Sequence, residues 1–92
     1  MKEKDISNIK LINECLKKNK EFNTYVQVEY DQLINDENLI EICVECISNL
    51  FSNDGLDEND EPNKYGLELY HLIEYLNNMR YTLQDRNKNE RK

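Results

Sequence analysis

The 92-residue chain has no alanine and no tryptophan, one proline and only two glycines. With Gly55 and Gly66 alone, neither a phosphate-cradling P-loop nor a dinucleotide fingerprint can be built, because both need several glycines in one short turn. The single histidine, His71, has no Ser, Cys or Asp arrangement around it that suggests a nucleophile, so no enzyme activity is expected. No apolar run approaches the roughly 20 residues of a membrane span, and the opening Met1-Lys2-Glu3-Lys4-Asp5 lacks a signal peptide's apolar region. Three cysteines, an odd number without framework spacing, argue against a secreted disulfide scaffold. The expected location is therefore cytoplasmic. Missing alanine beside fourteen asparagines is what an AT-rich genome encodes, such as that of a low-GC bacterium, its phage or plasmid, or an AT-rich eukaryote.

The most informative deficit is in positive charge. Between Lys20 and Lys64 there is no Lys, Arg or His, while residues 21–61 hold twelve acids. Residues 1–20 carry a balance of +3 and residues 62–92 one of +2, so the net charge of −7 conceals a segregated middle. Such a stretch is a negative field source able to steer a basic partner. Direct nucleic-acid binding is not expected, since the cations are few and divided between the two ends.

What is present is helical spacing. Apolar residues recur at three- and four-residue steps through most of the chain, which sets it apart from a disordered polyelectrolyte. The reading is an all-α, compact four-helix bundle forming a single domain over 1–92, with helices at about 5–18, 21–35, 37–52 and 64–86. An acidic loop occupies 53–63, and a frayed polar tail 87–92. In the first helix Ile6, Ile9, Ile12 and Leu16 form a stripe, widened by Leu11 and Cys15, with Asp5 as N-cap. The second segment is ambiguous. Phe22, Thr24, Val26, Val28 and Tyr30 alternate as in a strand, giving an α+β alternative with a strand at 22–30. A helix instead puts Phe22, Tyr25, Val26, Tyr30, Leu33 and Ile34 on one face and continues beyond the alternation. In the third helix, capped by Asp36, a broad apolar arc leaves Glu37, Glu41, Glu45, Ser48 and Ser52 on a narrow wet face. The fourth has the seam Leu69, Leu72, Leu76, Met79 and Leu83, which fits a bundle or a homodimer through a short coiled coil.

Several constellations resolve into plain structure. Cys43-Val-Glu-Cys46 has CxxC spacing, and Cys15 and His71 would complete a zinc set. Both cysteines of the pair fall mid-arc, however, where free Cys is a small core residue, so no metal and no cofactor are expected. Asp57, Asn59, Glu61 and Glu68 sit at calcium-loop positions, but Pro62 stands where the sharp turn needs glycine. Tyr25, Tyr30 and Tyr65 read as core. Tyr70, Tyr75 and Tyr81 lie off the seam, as edge packing or interface anchors.

Glu37, Glu41 and Glu45 stand one above the next, about 6 Å apart, with no lysine in the helix to relieve them. A solvated face partly neutralised by Lys17, Lys18 and Lys20 is one reading. A docking surface for a basic site is the other. In size and charge alone, the chain resembles the small acidic proteins that phages and mobile elements use against nucleases and CRISPR effectors, and nuclease-immunity proteins. The expected function is a non-enzymatic inhibitor or immunity factor that occupies a basic nucleic-acid-binding groove on another protein. Its partner-binding residues would be Glu37, Glu41, Glu45, Asp54, Asp57, Glu58, Asp60, Glu61, Tyr70 and Tyr75. The runner-up is a structural adaptor that homodimerises through the Leu69–Leu83 seam, with no membrane partner in either case.

Overall fold

The computed structural model describes residues 2–19, 21–22 and 27–90. Among these there are four helices and no strand: α1 (Glu3–Lys18), α2 (Tyr30–Leu33), α3 (Glu37–Asp54) and α4 (Lys64–Glu90). The fold is all-α, as periodicity indicates. Thr24, Tyr25 and Val26 lie outside the described residues.

α3 touches each of the other three helices, most extensively α4. Ile40, Cys43, Cys46, Ile47 and Leu50 are its buried face, opposed by Leu69, Leu72, Leu76 and Leu83 of α4 and by Ile12, Cys15 and Leu16 of α1. Asp36 caps α3 as expected, its Oδ1 accepting the Leu39 amide at 3.1 Å. Asp5 does not cap α1, which starts two residues earlier behind an extended Lys2. Ile6, assigned to the core stripe, is 55% exposed, because the buried residues of α1 all lie in its C-terminal half. α4 runs to Glu90, so the expected tail at 87 continues the helix.

α3 and α4 form an antiparallel hairpin whose register is readable at both ends. Gln84 reaches Glu37 and Arg80 reaches Glu41, matching four-residue steps in opposite directions. At the other end the chain's two glycines meet. A methyl on Gly66 would fall well inside the van der Waals contact distance of the Gly55 carbonyl oxygen, and one on Gly55 would lie 2.8 Å from the Phe51 oxygen and 3.0 Å from the Gly66 Cα. Asn63 locks the junction. Its Oδ1 accepts the Gly66 amide at 2.7 Å, capping α4, while its Nδ2 donates to the Asp54 carbonyl at 3.1 Å, a last-turn acceptor of α3.

The second helix is one turn rather than fifteen residues, and a single side chain accounts for much of the difference. Asn13 of α1 pairs with Val28 twice: Nδ2 donates to the Val28 carbonyl at 2.9 Å, and Oδ1 accepts the Val28 amide at 2.7 Å. Both backbone groups that a helix would use are thereby diverted. Gln27 sits at φ 71° and Glu29 is extended, so helix begins only at Tyr30, where the Glu29 amide donates to Gln32 Oε1 at 2.9 Å. Val28 is then buried although it is in no helix. Replacing Asn13 by Ala leaves the part-buried Val28 pair without its partner, and a loss of about 2–3 kcal/mol is expected. Chemical denaturation measures it. A change under about 0.5 kcal/mol would mean the tether is incidental.

Candidate partner-binding surface

The acidic stripe exists, but part of it is engaged by the protein itself. Glu37, Glu41 and Glu45 share one side of α3, flanking α4. The Glu37 Oε1 accepts a hydrogen bond from Gln84 Nε2 at 2.6 Å. Glu41 pairs with Arg80 at 3.9 Å, and Arg80 is itself steadied by donating Nη2 to Asn77 Oδ1 at 2.8 Å. Glu45 is exposed. Among the described residues Glu41–Arg80 is the only Lys or Arg pair with a carboxylate, and within α4 the exposed His71 and Glu74 side chains approach to 3.7 Å.

Among the described residues no lysine pairs with the stripe. Lys18 instead lies over the Tyr65 ring, 4.9 Å from its centroid, with Nζ 3.4 Å from the hydroxyl. Lys17 is exposed in the last turn of α1, and Lys20 lies outside the described residues.

The acidic segment after α3 is a built loop. Asp57 organises it: its Oδ1 accepts the amides of Asn59 at 2.8 Å and Glu61 at 3.1 Å, and its own amide donates to the Glu61 carbonyl at 2.8 Å. Asp60 takes a left-handed backbone, φ 60°, which Asp tolerates better than most residues. Leu56 and Pro62 form an antiparallel bridge beneath. Asp57 is therefore a loop former, whereas the side chains of Glu58, Asp60 and Glu61 remain turned to solvent. Asp54, at the end of α3, is also exposed. At 1.5 Å per residue, Glu45 and Asp54 are separated by roughly 14 Å along the axis, so the acids form a helix-side set and an end set rather than one row.

The two tyrosines assigned to the interface part company. Tyr70 is half exposed on the outer side of α4, edge-on to the exposed His71 ring at 5.9 Å. Tyr75 is half-buried and donates its hydroxyl to Asp5 Oδ1 at 2.8 Å, tying α4 to α1. Burial and the Asp5 carboxylate hold that phenol protonated well above its usual range. Of the two, Tyr70 is free to meet another molecule.

The seam assigned to a homodimer is occupied within the monomer. Leu69, Leu72, Leu76 and Leu83 are buried and Met79 is partly buried against the same core. At Leu69, Leu72 and Leu76 a second copy has no surface to meet unless α3 leaves, while Met79 and Leu83 also line an open cleft.

Cys15, Cys43 and Cys46 are free and buried. Removal from water pushes their thiols from an ordinary value near 9 to about 11, 12 and 11 respectively. The Cys46 thiol donates to the Cys15 carbonyl at 3.5 Å. Thiols held neutral this firmly are poor nucleophiles and poor metal ligands. His71 sits in solvent while they sit in the core, and among the described residues no group of three or more His, Cys, Asp or Glu could hold a metal ion. No helix among the described residues is long and apolar enough to cross a membrane.

No protein-family model matches the sequence, and no curated protein or solved structure is detectably similar to it.

Three contributions escape sequence reasoning: the Arg80 and Gln84 side chains that cross to the stripe, and Asp57's turn. Only the last had a local signal, since Asp followed two residues later by Asn in an acidic, Pro-ended stretch is turn chemistry.

Proposed function

We propose that the protein is a stoichiometric inhibitor or immunity factor that occupies a basic, nucleic-acid-binding groove on a partner protein, without catalysing a reaction. The observation that carries this reading is the cation-free stretch between Lys20 and Lys64, with exposed carboxylates at Glu45, Asp54, Glu58, Asp60 and Glu61 held on a rigid hairpin and its ordered loop. Ordered carboxylates present charge without first losing conformational freedom, which favours fast association and competition with a polyanion. Glu37 and Glu41, already contacted by Gln84 and Arg80, would contribute field more than direct contact. Tyr70 would supply an aromatic contact at the margin.

The test begins with affinity capture from the native host and then measures the partner's affinity against salt. Roughly tenfold or greater weakening between about 50 and 300 mM salt is expected. A Glu45→Lys, Glu58→Lys, Glu61→Lys variant, which spares Asp57 and the left-handed Asp60, should lose binding by a comparable or larger factor. An affinity indifferent to both salt and charge reversal removes the electrostatic reading.

A further inference from the structure

A different surface lies near the other end of α3. Two open clefts flank Tyr30. One, of about 330 Å³, runs from Asp5 past Met79 and Leu83 to Arg86. The other, of about 320 Å³, separates Ile6 and Ile9 of α1 from the backbone between Val28 and Asp31. Both are mainly apolar inside. A single exposed isoleucine needs no explanation, but Ile6 lines a cleft together with Ile9, which packs against the core.

The charges around these clefts are of one available sign. Asp5, Glu29 and Asp31 are in their linings. Arg86, the one cation among the described lining residues, is turned to α2's end, with Nη2 donating to the Ile34 carbonyl at 3.1 Å and to Asn35 Oδ1 at 3.0 Å. An acidic ligand would face three carboxylates there; Asp5 already accepts the Tyr75 hydroxyl, and a neutral ligand would leave Glu29 and Asp31 without a cationic partner.

We propose that the two clefts form one docking groove for a cationic amphipathic helix of a partner protein, which seats one apolar side chain on each side of Tyr30 and sets its Lys or Arg residues against Asp5, Glu29 and Asp31. Side chains three or four residues apart on a helix are spaced to straddle an aromatic ring in this way. The groove uses none of the carboxylates of the 54–61 end set, so the proposal stands or falls apart from the inhibitor reading.

The probes are a helical peptide of about 14 residues with leucines on one face and lysines on the other, and its leucine–glutamate counterpart. Each is titrated into the whole isotope-labelled protein at about 150 mM salt and followed by amide resonances. The lysine peptide should shift Ile6, Ile9, Tyr30 and Asp31, and the glutamate peptide should leave them in place. An Ile6→Ser, Asp31→Lys variant, both changes being at exposed positions, should bind the lysine peptide roughly tenfold more weakly while keeping a dispersed spectrum. The Glu45→Lys, Glu58→Lys, Glu61→Lys variant should bind it as the parent does. Shifts centred on Glu45 and residues 57–61, an equal response to both peptides, no response to either, or undiminished affinity in the groove variant would each overturn the proposal.

Discussion

Raising the pH from 8 to 11 should cost the protein about 7 kcal/mol of its folding stability, and the buried thiols are the reason. In the unfolded chain Cys15, Cys43 and Cys46 ionise near 9, whereas in the native core they hold their protons to about 11, 12 and 11. The native pKa values are raised, so this part of the stability is fully present below pH 9 and drains away as the pH climbs toward 11–12. With three protons held by the folded state and released by the unfolded one, the slope approaches about 4 kcal/mol per pH unit. The accumulated loss is about 4 kcal/mol at pH 10 and about 7 kcal/mol at pH 11. A domain of this length has roughly 5–14 kcal/mol to lose, and the Tyr75 phenol adds to the same trend. Urea denaturation at pH 8, 9 and 10 under a non-thiol reductant measures it. Stability that stays within about 1 kcal/mol over that range would mean the thiols are far more hydrated than their complete burial indicates.

Gly66→Ala is expected to destabilise by about 2–3 kcal/mol, lowering the thermal midpoint by roughly 10–20 °C. The sign is the informative part. At an unhindered helical position the same change stabilises by up to about 1 kcal/mol, because alanine is the better helix former. Here the new methyl would meet the Gly55 carbonyl, a backbone atom that cannot swing aside, so α3 and α4 must separate or tilt. Thermal melts of the single variant decide between the two. A rise in the midpoint would show that the crossing is loose and that the glycines are not what brings the helices together.

Both glycines lie at that one crossing, and this bears on what could be read without coordinates. The starts of α3 and α4 and their core positions are legible because apolar spacing is a property of one helix at a time, whereas both helices run past their expected ends, to Asp54 and Glu90. Gly66 in the first turn of α4 gives no such signal, since its partner is another helix's backbone. The same holds for Asn13: nothing local distinguishes an asparagine that faces solvent from one that captures Val28. The over-long second helix follows from that blindness, since Tyr30, Leu33 and Ile34 fit a helical face whether or not the preceding residues are diverted. The acidic face was legible in charge but not in engagement. Glu37, Glu41 and Glu45 were placed together correctly, and only the antiparallel register reveals that Gln84 and Arg80 arrive opposite the first two.

That register has a consequence of its own. α3 and α4 are pinned at one end by the glycine contact and at the other by Gln84 on Glu37, which leaves no freedom to slip by a turn. The pair behaves as a fixed gauge. Along the eighteen residues of α3, roughly 27 Å, whatever sits at the Asp57 loop is kept at a set distance from whatever sits beside Tyr30. A binding protein large enough to touch both ends must present its complementary features at that same interval, while a smaller one can take either end alone.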